Sequence, residues 1–310
     1  MARSCSTSCR DGSGGAKHAS RHVGRQVAVS WRRLHAVLAI GAALSTGGVG
    51  RAGAQTSATT GWSFSYTVST TTAGKPVQGA DMTYDVQIWR GIARIGVRSG
   101  PMQRLTGEHG VLLVRAADSV ISIVNPARRE ILQAASADFA SLLSGGPPGA
   151  VRLTVSDVSS RTRLLGKGDP LATYATQRHQ LDQRYTLQVA ASNVQRSIRN
   201  EQVITLDISR DVDRLDPGFR AFAEQFVRSL GQPGEVRRAL LAASSSPVRG
   251  FPVRSTTLAV TISGTDTLRS ETRTAISAPR REVVDSMSFR VPPEYRVTDM
   301  SRLLRPRKQP

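Results

Sequence analysis

The residues that most often perform chemistry or form cross-links are scarce in this chain. It has two cysteines in 310 residues, Cys5 and Cys9, and both precede the first apolar run. Nothing after that run can supply a disulfide or a thiolate nucleophile. Of five histidines only His109 and His179 lie beyond residue 54, with no H-E-x-x-H motif, so a zinc centre lacks ligands. No G-x-S-x-G elbow is present. Gly166-Lys167-Gly168 lacks the leading glycine and the Ser/Thr of a phosphate loop. The acidic run Asp207, Asp211, Asp213, Asp216 fails as a calcium loop, because the sixth position from Asp211 is Asp216 rather than glycine and the twelfth is Phe222 rather than glutamate. Asp216 is better used as a helix cap. These gaps point away from an enzyme, a metal and a cofactor.

Aromatics make up 5% of the chain, and acids are outnumbered 23 to 42 by lysine and arginine. A nucleic-acid binder of such charge needs base-stacking aromatics or a recognisable motif, and neither is there. Long apolar runs are missing as well. The longest, residues 34–44, is too short for a membrane-spanning helix, which takes roughly 20 residues.

That run does have the anatomy of a secretory leader. Arg32 and Arg33 precede it, small residues follow, and Ala52-Gly53-Ala54 forms an A-x-A cleavage site ahead of Gln55. Leu34 and His35 after the arginine pair fit general secretion better than twin-arginine export. Cleavage after Ala54 would leave 256 of the 310 residues. It would remove eight basic residues and one acidic, taking the net charge from +19 to +12. The expectation is an exported protein, soluble in the periplasm or outside the cell. There a basic surface with the terminal group Arg302, Arg305, Arg307 and Lys308 can meet anionic lipid.

From Gly61 the pattern has period two. Trp62, Phe64, Tyr66 and Val68 alternate with small polar residues, predicting a half-buried strand. A turn at residues 73–76 leads to strands over 82–88 and 92–97, then 111–114, 120–124 and, after Asn125-Pro126, 128–132. A short helix is predicted over 137–143, stopped by Gly145-Gly146-Pro147-Pro148. Residues 151–155 resume strand, and 171–181 with 184–189 read as a hairpin. Asp216 as N-cap and Pro217 at the first position start a helix to Leu230, with Phe219, Phe222 and Phe226 on one stripe. A weaker helix covers 235–243. Strands over 252–262, 268–276 and 283–291 close the chain.

The order of leader, aromatic first strand, hairpin-rich sheet, mid-chain helix, Gly250-Phe251-Pro252-Val253 and Phe289-Arg290-Val291-Pro292-Pro293-Glu294-Tyr295 resembles a secreted bacterial family, domain of unknown function 4412. The likeness runs from about Gly61 to Tyr295, with Glu294 where that family usually has glycine. The family is similar in fold to periplasmic lipoprotein carriers of the Lol type. The resemblance implies a curved antiparallel sheet forming an incomplete barrel with helices across its mouth, and hydrophobic-ligand binding; it implies no catalytic residue.

Together these observations predict a mainly β protein with minor α. Residues 1–54 form a cleaved leader, 55–60 a flexible N-terminus, 61–297 one β-rich carrier-like domain and 298–310 a basic tail. The expected role is non-enzymatic binding or carriage of a lipid or acyl chain. Trp62, Phe64, Tyr66, Phe219, Phe222 and Phe226 would line the cavity. The alternative is a structural protein that docks on an anionic membrane or envelope partner through its basic surface.

Overall fold

In the computed structural model, residues 58–77, 81–100, 102–136, 139, 152–191, 194–227, 234–244 and 248–300 are described. The leader, the predicted helix at 137–143 apart from buried Phe139, the Gly-Pro stop after it, and the terminal arginine cluster lie outside these residues.

Alternation dominates the sequence, and one sheet dominates the fold. Its fourteen strands are β1 (Ala58–Thr72), β2 (Lys75–Pro76), β3 (Met82–Trp89), β4 (Ile92–Val97), β5 (Val111–Arg115), β6 (Val120–Asn125), β7 (Glu130–Ala135), β8 (Arg152–Lys167), β9 (Gln177–Ala191), β10 (Val194–Ser209), β11 (Phe251–Ser263), β12 (Asp266–Ile276), β13 (Arg280–Asp285) and β14 (Arg296–Asp299). The order is β14-β7-β6-β5-β4-β3-β1-β12-β11-β10-β9-β8, with β13 and β2 also on β1. Neighbours are antiparallel except β14, which runs parallel to β7. The sheet is curved but open, as an incomplete barrel requires, with β14 and β8 at its edges.

Strand β1 is the seam. On one side it pairs β3 over Trp62 to Val68. On the other it pairs β12 through Tyr66–Thr72 and then β13 through Ala58–Ser63. The switch is fixed at Ser65, whose N–H donates to Ser277 Oγ (2.9 Å) and whose carbonyl accepts from Ser277 N–H (2.9 Å). The turn after β1 has positive φ at both Ala73 (51°) and Gly74 (75°), the twist that lets a strand reverse tightly.

One face of the sheet, here called the inner face, carries the helices. The segment Pro217–Ala221 packs on the β3–β6 side and buries Phe219 and Ala221. The helix Gly234–Ala243 packs on β8 at the other end, and its Val236 and Leu240 meet Tyr185, Leu187, Val189 and Ile198. The outer face of β5–β7 is covered by the C-terminal segment, where Val291 and Tyr295 pack on Leu113, Val124 and Ile131.

Three sequence expectations are corrected. Residues 171–189 do not form a hairpin, because β9 runs unbroken from Gln177 to Ala191 between β8 and β10. The predicted strand at 283–291 ends at Asp285, which caps a 3₁₀ turn over Ser286–Phe289 by accepting from Met287 N–H (2.9 Å). The helix from Pro217 is α-helical only to Ala221 and continues as a π-turn over Phe222–Val227.

Candidate ligand-binding face

The six aromatic residues predicted to line a cavity do converge on the inner face. Trp62, Phe64 and Tyr66 project from β1 because they share its inward parity with Val68, and Phe219, Phe222 and Phe226 come down from the helix and π-turn. Phe64 stacks on Phe219 with ring centroids 5.4 Å apart. Phe222 meets Phe64 edge-on at 5.5 Å, Tyr66 at 5.4 Å and Phe226 at 5.4 Å. Trp62 lies at the rim, 6.4 Å from Phe219, with the Arg281 guanidinium 5.2 Å over its ring. The rings fill the space between them, so the cluster is closed. Two members were not anticipated, Phe251 (5.4 Å from Phe219) and Tyr84 (5.3 Å from Phe226). The Gly-Phe-Pro-Val motif and the inward parity of β3 were the available signals.

The roof over this cluster is held at few points. Asp216 Oδ1 caps the helix by accepting from Gly218 N–H (2.8 Å) and also accepts from Gly91 N–H in the β3–β4 turn (2.8 Å). Gly218 lets the helix reach the sheet, for a Cβ there would stand 2.6 Å from Ile88 Cγ2. In the π-turn, Gln225 Nε2 donates to Arg115 C=O (2.8 Å), while its Oε1 is buried without a partner among the described residues. A π-turn spaces backbone bonds one residue wider than an α-helix and occurs often at functional sites.

Beyond the aromatics the inner face changes character. Between Val68, Val253 and Ile276 of the aromatic core and Tyr185 and Ile198 of the second cluster, hydroxyls and amides occupy many of the inward positions, interspersed with Leu181, Ile204, Leu206 and Ala259. Thr70 Oγ1 and Thr272 Oγ1 are 3.2 Å apart, and Ser255 Oγ and Thr274 Oγ1 are 2.7 Å apart. Asn200, 1% exposed, donates from Nδ2 to Thr261 Oγ1 (3.0 Å) and accepts from Gln202 Nε2 (3.0 Å). Gln183 Oε1 is buried with no partner among the described residues. Tyr66 and Tyr185 stand at the two ends of this band, and burial raises both phenols, Tyr185 to about 12. Within β8–β12, charged residues share this parity only at the strand tips among the described residues, at Lys167, Arg196 and Asp266, while Arg281 of β13 faces inward over Trp62.

On the outer face of the same strands the arginines are paired. Arg178 donates to Asp207 Oδ1 through Nε (2.7 Å) and to Asp169 Oδ2 through Nη2 (2.7 Å), and Asp207 also lies 3.9 Å from Arg254. Arg163 holds Asp182 at 2.9 Å, Arg184 and Arg199 converge on Glu201, and Arg273 holds Glu271 at 2.6 Å. Three of the four carboxylates considered for calcium have other partners. Asp207 sits with these arginines, Asp213 accepts from Arg220 (2.8 Å) and Asp216 caps its helix. His109 is exposed at a φ of 61° in a turn, and His179 points inward from β9, its pKa lowered by burial and then by Arg210. A cavity of about 340 Å³ opens on the outer face instead, lined by groups that include Asp85, Arg94, Arg98, Glu108 and His109.

No protein family and no curated protein matches this chain in sequence. Among solved structures the chain is similar to a LolA superfamily protein from Nitrosomonas europaea. The two are 7% identical over 74% of this chain and 90% of that one, with a TM-score of 0.25. At that score the likeness does not locate a site, which is read here from this chain's own residues. No described helix is long and apolar enough to cross a membrane.

Proposed function

We propose that this protein is an exported, non-enzymatic binder that carries a hydrophobic or amphiphilic envelope component, a lipid or acyl chain, on the inner face of its sheet. The observation that carries this reading is the thin roof: among the described residues, the aromatic cluster is covered by short helical segments, Arg210–Asp213, Pro217–Ala221 and the π-turn, rather than by a second sheet. An acyl chain replaces ring contacts with contacts of similar apolar area once the roof lifts, so occupancy needs little new exposure of apolar surface. Trp62, Phe64, Tyr66, Phe219, Phe222 and Phe226 form the walls.

The test is displacement of a fluorescent fatty acid from the purified protein, with native mass spectrometry of protein taken gently from its own envelope. Saturable binding near one ligand per chain is expected. Gly218→Ala, whose new methyl group meets Ile88, should loosen the roof and speed ligand exchange several-fold while the sheet spectrum is kept. A clean apo mass and no saturable binding would reject the reading.

Docking on an anionic membrane, the alternative role, has less support from the sheet, because the arginines of β8–β12 named above already have carboxylate partners. Its signature is vesicle binding that weakens steeply with salt.

A further inference from the structure

The two faces of β8–β12 differ in charge, and the difference bears on what the ligand's polar end can be. By strand register, outward positions hold the arginine–carboxylate pairs, while inward positions between the two apolar clusters hold Ser, Thr, Asn and Gln interspersed with Leu181, Ile204, Leu206, Ala259 and His179. A carboxylate or phosphate brought onto that inner band loses water and finds no cation at the register positions beside Thr70, Thr257, Thr272, Gln183 and Gln202, a costly burial. A hydroxyl-rich group loses the same water and regains hydrogen bonds, since each hydroxyl both donates and accepts as the band's side chains do. Gln183 Oε1, buried and without a donor among the described residues, is an acceptor that such a group would satisfy. The band also adjoins the aromatic cluster directly. Val68 and Thr70 are successive inward residues of β1, and Ile276 and Thr274 are successive inward residues of β12.

We propose that the ligand is an amphiphile with an uncharged, hydroxyl-rich headgroup, a sugar in the first instance, seated on the band of Thr70, Thr257, Thr272, Gln183 and Gln202 with its chain among the phenylalanines. This rests on the amphiphile reading above and narrows it from any lipid to neutral glycosylated ones.

The experiment is calorimetric titration of the purified full chain, below micelle formation, with decyl maltoside, monodecanoylglycerol, decyl phosphate and decanol, which share one chain length. Decyl maltoside should bind at least about tenfold more tightly than decyl phosphate, the scale of one or two hydrogen bonds kept or lost. Monodecanoylglycerol binding as tightly as the maltoside would overturn the choice of a sugar. Gln183→Leu should reduce maltoside affinity about tenfold and leave decanol unchanged. Thr272→Val, nearly isosteric and half-buried, checks the same point if Gln183→Leu folds poorly. Phosphate binding equal to or tighter than maltoside overturns the headgroup inference and leaves the carrier reading intact. Failure of all four probes to bind rejects the carrier reading itself. A maltoside preference that survives both substitutions removes the headgroup from the band.

Discussion

On β3–β7 the inner face of the sheet is covered by the Pro217 helix and π-turn, and the outer face of β5–β7 by residues around Val291 and Tyr295. On β8–β12 the strands are longer, and apart from the Gly234–Ala243 helix the described residues leave much of both faces to water. Val203 and Leu258, cross-strand neighbours on the outer face, are 40% and 51% exposed. The first flank is held by apolar burial. The second is held by backbone pairing and by charge pairs that cross strands, Arg163 with Asp182 and Arg184 with Glu201. Apolar burial is thereby concentrated in one flank, and polar inward residues that would weaken the first can be carried by the second.

Truncating one aromatic should break the covered flank most severely. Phe222→Ala removes a fully buried ring with four aromatic neighbours and should cost about 3–5 kcal/mol, read as a drop in denaturant midpoint. The matching truncation in the polar flank, Ile204→Ala, removes a half-buried side chain and should cost about 1 kcal/mol. If the two losses were equal, the division between flanks would be wrong. Asp207→Ala should rank second. It leaves Arg178 and Arg254 facing each other without their shared, nearly buried carboxylate, and should lower stability by about 2 kcal/mol once solvent exposure of the arginines is discounted.

Asp216→Ala removes both the helix cap and the acceptor of Gly91 N–H, for about 1–2 kcal/mol, with faster exchange of the Gly218 and Gly91 amides as the local readout. The smallest effect expected is a pH dependence at the β14 edge. Hydrogen bonding from Arg296 holds Glu130 below its ordinary pKa, so the pair stabilises fully above the unfolded value near 4.5 and loses that contribution as pH falls through the lower folded value. Amide protection factors in β14 and β7, taken against the intrinsic exchange rate at each pH, should fall on acidification before those of β1. Uniform protection at all pH values would contradict it.

Much of the covered flank could be read from sequence because its two faces differ in polarity. Trp62 to Val68 alternate with serines and threonine, and the Asp216-Pro217 start needs only local chemistry. The polar flank was read poorly for the same reason that makes it interesting. β10 was not anticipated at all, since Asn200 and Gln202 occupy inward positions and erase the apolar alternation that marks a strand. β9 was split at Asp182 to Arg184, although these polar groups face partners supplied by β8 and β10. The π-turn was invisible because Phe222 and Phe226, four apart, suit either helix type. The hydroxyl band cannot be read along one strand, because it exists only once the registers of β1, β12, β11, β10 and β9 are set.

The seam strand has a consequence for the order in which the molecule can be completed. Tyr66 is opposite Ile276, and Ala58 is opposite Asp285, so the first described strand waits for nearly the last. Until β12 and β13 have been synthesised, β1 has a neighbour on one side only, its edge is open, and the two flanks are unjoined. Closing so large a loop is slow. The chain therefore reaches its native topology only after it has been made almost in full, and a nascent chain stays threadable until its final quarter emerges.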